Sequence, residues 1–431
     1  MTGTERQVVV SGIGLLTALG EGPDANWKAL VEGRSGVGPI SAYDPSPLQT
    51  RIGAEIADFD VSRFATRRQQ RTLNRGDALA LAAARLALAD AGVDTSDGEL
   101  GGTTGLFLGS NKEIGRLEDL IGALRSVRRE DGTGDMRKLG EHGDTVMAPL
   151  FFVEGLQPGA VFHISQTFGI RGANAFFAGT ADSGAVAIGA AMRAIRRGDA
   201  RMAVAGGYED ATSWWQMSKL DRVGVLTTRN DLGDTAFRPY DRSRSGAVLG
   251  EGAALLVLEE KESALRRGAR IYAEVSGFGS GHEAGTPPTP HPEGRGLARA
   301  VRRALDDARI NPSELGYVAS HGSATRSGDV SETAALHTAL GDAARSVPIS
   351  TVKPQTGHLI GGAGALNATV AALSLHHGAV PATVNLTDLD PACDLDFVHG
   401  SARDLAPAHA LALARGLEGQ AVALAFTQPG R

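Results

Sequence analysis

Twice in this chain a short apolar run breaks into a turn of small residues and then into a long stretch rich in small residues that ends at glycine. The first copy reads F-F-A-G-T-A-D-S-G-A-V-A-I-G-A-A-M-R-A-I-R-R-G-D from Phe176 to Asp199, and the second runs from Pro348 to Gly378. An apolar run too short for a helix, followed by apolar residues at helical spacing, reads as strand, turn and helix, here closed by Gly198 in the first copy. Two copies of one such unit constrain the chain to a duplicated α/β core. The turn ahead of each helix aims backbone N–H groups at one point, as helix N-termini do.

The same alternation continues elsewhere: V-V-V-S-G-I-G at 8–14, D-A-L-A-L-A-A-A-R-L-A-L-A-D-A-G at 77–92, and G-L-F-L-G-S at 105–110. Near Arg270, I-Y-A-E-V-S-G-F-G repeats the strand-then-glycine character of the N-terminal run, and the helix-like E-E-K-E-S-A-L-R-R-G before it forms the joint. The expected halves are residues 1–259 and 260–431. Between Glu113 and Val146 a polar, charged stretch with weak periodicity reads as a surface excursion.

At 431 residues, with 42% hydrophobic residues and 57 glycines, the composition is that of a compact α/β protein with many tight turns rather than a disordered chain. A net charge of −6 leaves no basic excess for a nucleic-acid backbone. The opening M-T-G-T-E-R-Q-V-V-V lacks the pattern of a secretory signal, and no apolar run is long enough to span a membrane. A single cysteine, Cys393, excludes an internal disulfide and any Cys-rich metal site. A cytoplasmic protein without a bound metal is the expectation.

Polar residues join Gly-rich turns in S-H-G-S-A-T-R-S-G-D-V-S-E at 320–332, S-T-V-K-P-Q-T-G-H-L-I-G-G-A-G-A at 350–365 and F-R-P-Y-D-R-S-R-S-G-A-V-L-G-E-G at 237–252. An oxygen that gains negative charge needs donors in place beforehand, and two neutral imidazoles supply them. His321 and His358 suit that role, because matching Gly-rich turns hold them both. With A-V-A-G-G-Y-E-D at 203–210 and C-D-L-D-F-V at 393–398, these segments resemble, almost end to end, the β-ketoacyl-acyl carrier protein synthases of fatty-acid and type II polyketide assembly.

That resemblance implies a thiolase-like, five-layered αβαβα fold of two similar halves, acting as a dimer. The family's reaction is decarboxylative Claisen condensation. A cysteine thiolate at a helix N-terminus takes the growing acyl chain from the phosphopantetheine arm of acyl carrier protein. Two histidines stabilise the enolate formed when malonyl thioester loses CO2. Those histidines match His321 and His358, Lys353 matches the lysine of the second motif, and Asp329 and Glu332 match the acidic residues after the first. No cofactor is implied beyond the arm that the carrier protein brings.

Two departures from the family pattern stand out. Aligned without a gap from Arg171-Gly172 through Ala187-Ile188-Gly189, the nucleophile falls on Ala181, whose methyl group cannot form a thioester. A one-residue gap would place Asp182 there and lose the register, while Ser183 matches a serine kept for structure. At the C-terminus the family's Gly-Phe-Gly-Gly-Thr-Asn turn, whose backbone lines the oxyanion hole and whose Phe gates the acyl pocket, corresponds to Gly416-Leu417-Glu418-Gly419-Gln420-Ala421. Leu417 replaces the gate, and Glu418 either brings a carboxylate near developing negative charge or points to solvent.

Two losses point to natural drift more than to a single engineered change. They resemble the chain-length factors, the β subunits that pair with a ketosynthase α subunit as a heterodimer. Those of aromatic systems usually carry Gln at the nucleophile position, so Ala181 with both histidines kept suggests a reducing, polyene-type branch. The alternatives are a malonyl-carrier-protein decarboxylase using His321 and His358, and a 3-oxoacyl synthase whose nucleophile is substituted at 181.

By the same resemblance Phe151, Phe152, Phe176 and Phe177 lie near the dimer interface and acyl tunnel, although core packing accounts for each equally well. Lys112 stands at a turn that abuts the acyl-pocket floor in relatives, with surface exposure the simpler expectation. Arg67, Arg68 and Arg71 fall where relatives meet the acidic carrier protein, or on an ordinary solvated face. Trp214 and Trp215 read as core or interface packing.

Overall fold

The computed structural model describes residues 6–96, 100–112, 117–147 and 150–430. Its main sheet contains β1 (Val8–Thr17), β2 (Thr104–Ser110), β3 (Asn174–Ala178), β4 (Met202–Glu209) and β5 (Gly252–Glu260) from the first half. The second half adds β6 (Ala273–His282), β7 (Tyr317–Ala319), β8 (Ile349–Ser350), β9 (His409–Arg415) and β10 (Gln420–Thr427). Across the sheet the order is β8-β7-β9-β10-β6-β1-β5-β4-β2-β3, with the short strand Gly20–Glu21 folded back on β1.

Read outward from the middle, the two halves are the same. The order β1-β5-β4-β2-β3 repeats as β6-β10-β9-β7-β8, with the first two contacts antiparallel and the last two parallel in each. The halves meet through Val9↔Glu274 and Val10↔Ala273, so the continuous sheet consists of two sheets joined at a corner. The expected limit at 259/260 falls on the last residues of β5, ahead of a helix at Lys261–Arg266.

Helices fill three layers around these sheets. α1 (Arg75–Asp90) and α2 (Gly159–Phe168) close an apolar cluster on the outer face of the first half. α3 (Ser183–Arg197) and α6 (Ala363–His377) lie between the two sheets, while α4 (Arg295–Ala308) and α5 (Arg326–Leu340) cover the outer face of the second. Helix, sheet, helix, sheet, helix is the five-layered thiolase-like arrangement. Every residue of α6 from Ala363 to Leu375 is buried, as a helix packed on all sides requires. Both repeat units end as expected, with Gly198 and Gly378 left-handed at φ 84° and 67°.

The described part of the expected surface excursion contains two helices, Leu117–Ser126 and Met136–Val146; Glu113–Arg116 lie outside the described residues. Leu117 and Ala123 are buried while Leu124 and Met136 are exposed, so these helices carry little of the core, and the expected surface excursion is helical rather than irregular.

What positions the site is the close approach of α3 and α6. A Cβ on Gly364 would stand 2.7 Å from the Ala181 carbonyl oxygen and 2.9 Å from the Ala185 Cβ. One on Gly207, at the end of β4, would stand 2.3 Å from the Gly361 carbonyl oxygen and 2.8 Å from the Gly184 Cα. Gly207→Ala is therefore expected to destabilise the protein by about 1–3 kcal/mol through overpacking. Gly122→Ala, inside a helix and where a Cβ meets nothing within 4 Å, is the comparison without a clash and is expected to gain up to about 1 kcal/mol. Urea unfolding of the two variants measures the difference.

Candidate active site

A cleft opens where the two halves meet, and its wall includes Thr180, Ala181, His321, His358, Arg415 and Leu417. Ala181 is the third residue of the four-residue turn from β3 to α3, two positions ahead of the first helical residue. His321 follows β7, His358 sits in the turn between β8 and α6, and Leu417 lies in the hairpin between β9 and β10. Four strand ends from both halves thus converge on one point.

The histidine rings meet edge to face with centroids 5.5 Å apart. His358 Nδ1 accepts the Ile360 N–H at 3.1 Å, and His321 Nδ1 accepts the Arg415 N–H at 3.4 Å. A neutral imidazole that accepts through Nδ1 carries its proton on Nε2. Each ring therefore has one N–H left to donate. Burial, then Lys353, pushes the His358 imidazole down to about 3. Burial also holds His321 well below its usual range, with Lys353, His358 and Arg415 adding positive charge nearby.

Behind the rings, carboxylates fix the turn that carries His321. Glu332 accepts the His321 N–H at 2.7 Å and the Gly322 N–H at 2.9 Å, and Asp329 accepts the N–H groups of Ser323 and Ala324, each at 3.1 Å. Gly322 and Ala324 have positive φ, which turns successive N–H groups to one side, as in an anion-binding nest. Burial pushes the Asp329 carboxyl up to about 7, and the N–H of Tyr240 and the Arg244 guanidinium oppose that rise. Lys353 is fully buried, its ammonium donates to the His321 carbonyl oxygen, and burial lowers it to about 8 against the pull of Glu332 and Asp329.

Several residues singled out in the sequence lie elsewhere. Lys112 does not line this cleft, and it is not a surface residue either: it is buried, with Nζ 2.6 Å from Asp77 Oδ2 and 2.7 Å from the Leu156 carbonyl oxygen. Asp77 in turn accepts from the Tyr208 hydroxyl, and that partner is what lets a lysine sit in the interior. Phe151 and Phe177 are half-buried away from the cleft, Phe152 is exposed, and Phe176 packs with the outer cluster of the first half. Glu418 is exposed beside the cleft, its carboxylate taking the Thr180 hydroxyl at 3.0 Å. Arg67, Arg68 and Arg71 are exposed, and Arg68 and Arg71 border a separate groove with Phe162 and His163. Trp214 and Trp215 pack edge to face, with Trp214 donating to Glu118.

Sequence reasoning missed Thr180 and Arg415. Arg415 is buried, held by Glu283 at 3.0 and 3.1 Å, and the signal was a charged residue closing the apolar strand H-A-L-A-L-A-R. The one cysteine, Cys393, packs in the outer cluster of the second half, where burial pushes its thiol up to about 12. No thiol reaches the cleft.

Residues 5–264 match the family model described as beta-ketoacyl synthase, N-terminal domain, and residues 272–387 match the corresponding C-terminal domain. The chain belongs to the beta-ketoacyl synthase family. It is 38% identical to the oxytetracycline polyketide putative beta-ketoacyl synthase 1 of Streptomyces rimosus, over 99% of this chain and 98% of that one. It is 36% identical to 3-oxoacyl-[acyl-carrier-protein] synthase 2 of Vibrio harveyi, over 98% and 99%. Among solved structures, the ishigamide ketosynthase/chain length factor superposes with a TM-score of 0.86 at 29% identity, covering 99% of this chain and all 100% of that one. A type II polyketide synthase acyl-carrier protein in complex with its ketosynthase, bound to the hexaketide, gives 0.86 at 25% identity over 99% and 100%.

In this ketosynthase fold the Glu332 carboxylate is the main support of the His321 turn. Glu332→Ala leaves two buried N–H groups without their acceptor. The expected loss is about 3 kcal/mol or more in urea unfolding, because each unsatisfied buried donor costs about 1–3 kcal/mol.

Proposed function

We propose that this chain is a ketosynthase-like subunit that does not condense by itself. It pairs with a Cys-bearing ketosynthase as a chain-length factor in type II polyketide or polyene elongation, in a cytoplasmic assembly, and shapes the acyl pocket. The observation that carries the reading is a methyl group at Ala181, on the cleft wall beside both histidines, in a chain whose only thiol is buried elsewhere. A covalent acyl-enzyme at this position needs an ionisable nucleophile, and a methyl group is not one.

Likeness to a ketosynthase/chain length factor pair and to a ketosynthase with its acyl carrier protein supports those two partners. Acyl chains then arrive on the carrier protein's phosphopantetheine arm, and exposed Arg67, Arg68 and Arg71 would steer an acidic carrier. In this reading Leu417, on the cleft wall, stands at the gate of the acyl space. Malonyl condensation is expected only when the chain is mixed with its partner ketosynthase, read by product mass; condensation by the isolated chain overturns the proposal.

A second reading, malonyl-carrier-protein decarboxylation, is favoured by the two imidazoles whose Nδ1 atoms are already satisfied. Loss of CO2 breaks the carbon–carbon bond to the carboxylate and leaves an enolate, which two N–H donors can receive without a nucleophile. CO2 release is then expected to fall by about 10²-fold or more in His321→Ala. Because His358 is held at about 3, its imidazole does not protonate between about pH 8 and about pH 5, where a free imidazole would protonate through 6.5, and any change of release in that range is expected to follow Asp329, held at about 7. No release above background from the isolated chain ends this reading.

A further inference from the structure

We propose that Thr180 fills the second oxyanion-stabilising position of the cleft, taking the Leu417 N–H, so that acyl transfer at position 181 is blocked by more than the missing thiol. This rests on the reading of 181 as the acyl-loading position and goes beyond it.

A tetrahedral intermediate formed at residue 181 would be stabilised by N–H groups on the same wall. The wall carries the N–H groups of Ala181 itself and of Leu417, the residue that matches the Phe of the family's oxyanion turn. Among the described residues the Ala181 N–H has no acceptor, but the Leu417 N–H donates to Thr180 Oγ1 at 2.9 Å. The hydroxyl has a single proton, and it goes to Glu418 Oε2 at 3.0 Å, so the lone pairs of Thr180 are what face Leu417. The chain Leu417 N–H, Thr180 O–H, Glu418 carboxylate ends on a charge, and each bond strengthens the next.

The rest of the hairpin is equally committed. Gly416 N–H goes to the Gln420 carbonyl at 2.8 Å and Gly419 N–H to the Gly416 carbonyl at 3.2 Å. Beneath it lies Asp182, 6% exposed, with Oδ1 lacking any partner and 2.5 Å from where a Gly416 Cβ would stand. Two carboxyl groups therefore face the place where a second negative oxygen would have to form. The histidine pair keeps both its donors, while the wall at 181 keeps the Ala181 N–H and gives up that of Leu417. The site retains full provision for an enolate and half of it for a tetrahedral acyl adduct.

The test uses the full chain as Ala181→Cys and as Ala181→Cys with Thr180→Ala, with the native chain as a blank for Cys393. In the acylation arm the introduced thiolate attacks hexanoyl-N-acetylcysteamine. A carbon–sulfur bond forms, the bond to N-acetylcysteamine breaks, and the departing thiolate takes the proton the nucleophile gave up. Intact mass reads the acyl-enzyme. In the second arm iodoacetamide alkylates the same thiol by direct displacement, which develops no oxyanion.

Alkylation is expected at similar rates in both variants, while acylation is expected about 10-fold or more faster with Thr180→Ala, since one such donor is worth about 10²–10³. Thr180→Ser, which keeps the hydroxyl, should stay slow. Equal acylation with and without Thr180 overturns the proposal. If Thr180→Ala fails to fold, Glu418→Ala in the Ala181→Cys background replaces it; a higher ratio of acylation to alkylation supports the proposal and an unchanged ratio overturns it. A thiol that iodoacetamide cannot reach defeats the placement of the loading position itself, and this proposal with it.

Discussion

The close approach of α3 and α6 through Gly184, Gly361 and Gly364 is the constraint on which the rest of this molecule depends. A bulkier side chain at any of these crossings would meet backbone at under 3.2 Å. Because the helices can nearly touch, the turn that opens α3 stands beside the turn that opens α6, and each turn belongs to a different half of the duplication. The site is thus a product of the repeat: one copy contributes position 181, the other contributes His358, and the hairpins and strand ends on either side supply Leu417 and His321.

Burial then sets the chemistry. Both imidazoles lie in low-dielectric surroundings next to a buried lysine, so protonation is disfavoured and donation through Nε2–H is what remains. That arrangement needs a rigid frame, since rings free to flip would lose their tautomers. Ile360 N–H and Arg415 N–H fix the rings, Glu332 and Asp329 fix the loop behind His321, and Lys353 ties the two histidine motifs by donating to the His321 carbonyl oxygen. Arg244, held by Asp390, reaches Asp329 and carries this frame out to the 388–390 loop.

The same cleft treats its two ends differently. Around the histidines both Nδ1 atoms are satisfied by backbone N–H groups. Around position 181 stand a methyl group, a Leu417 N–H held by Thr180, and the carboxyl groups of Glu418 and Asp182.

The duplicated α/β fold and the strand and helix of each repeat with its closing glycine were legible in the sequence, and the fold brings Ala181, His321 and His358 to one cleft. Strand runs, helical spacing and Gly-rich turns are local patterns, and local patterns are legible in one dimension. The charges and glycines of the 113–146 stretch read as loop, whereas the structure forms two helices there that carry little of the core. Only the tertiary structure decided that Lys112 is buried against Asp77, that Arg415 fixes the His321 tautomer from 94 residues away, and that Thr180 takes the Leu417 N–H across 237. Those are pairings between distant segments, and their existence depends on how closely two helices pack rather than on any spacing along the chain.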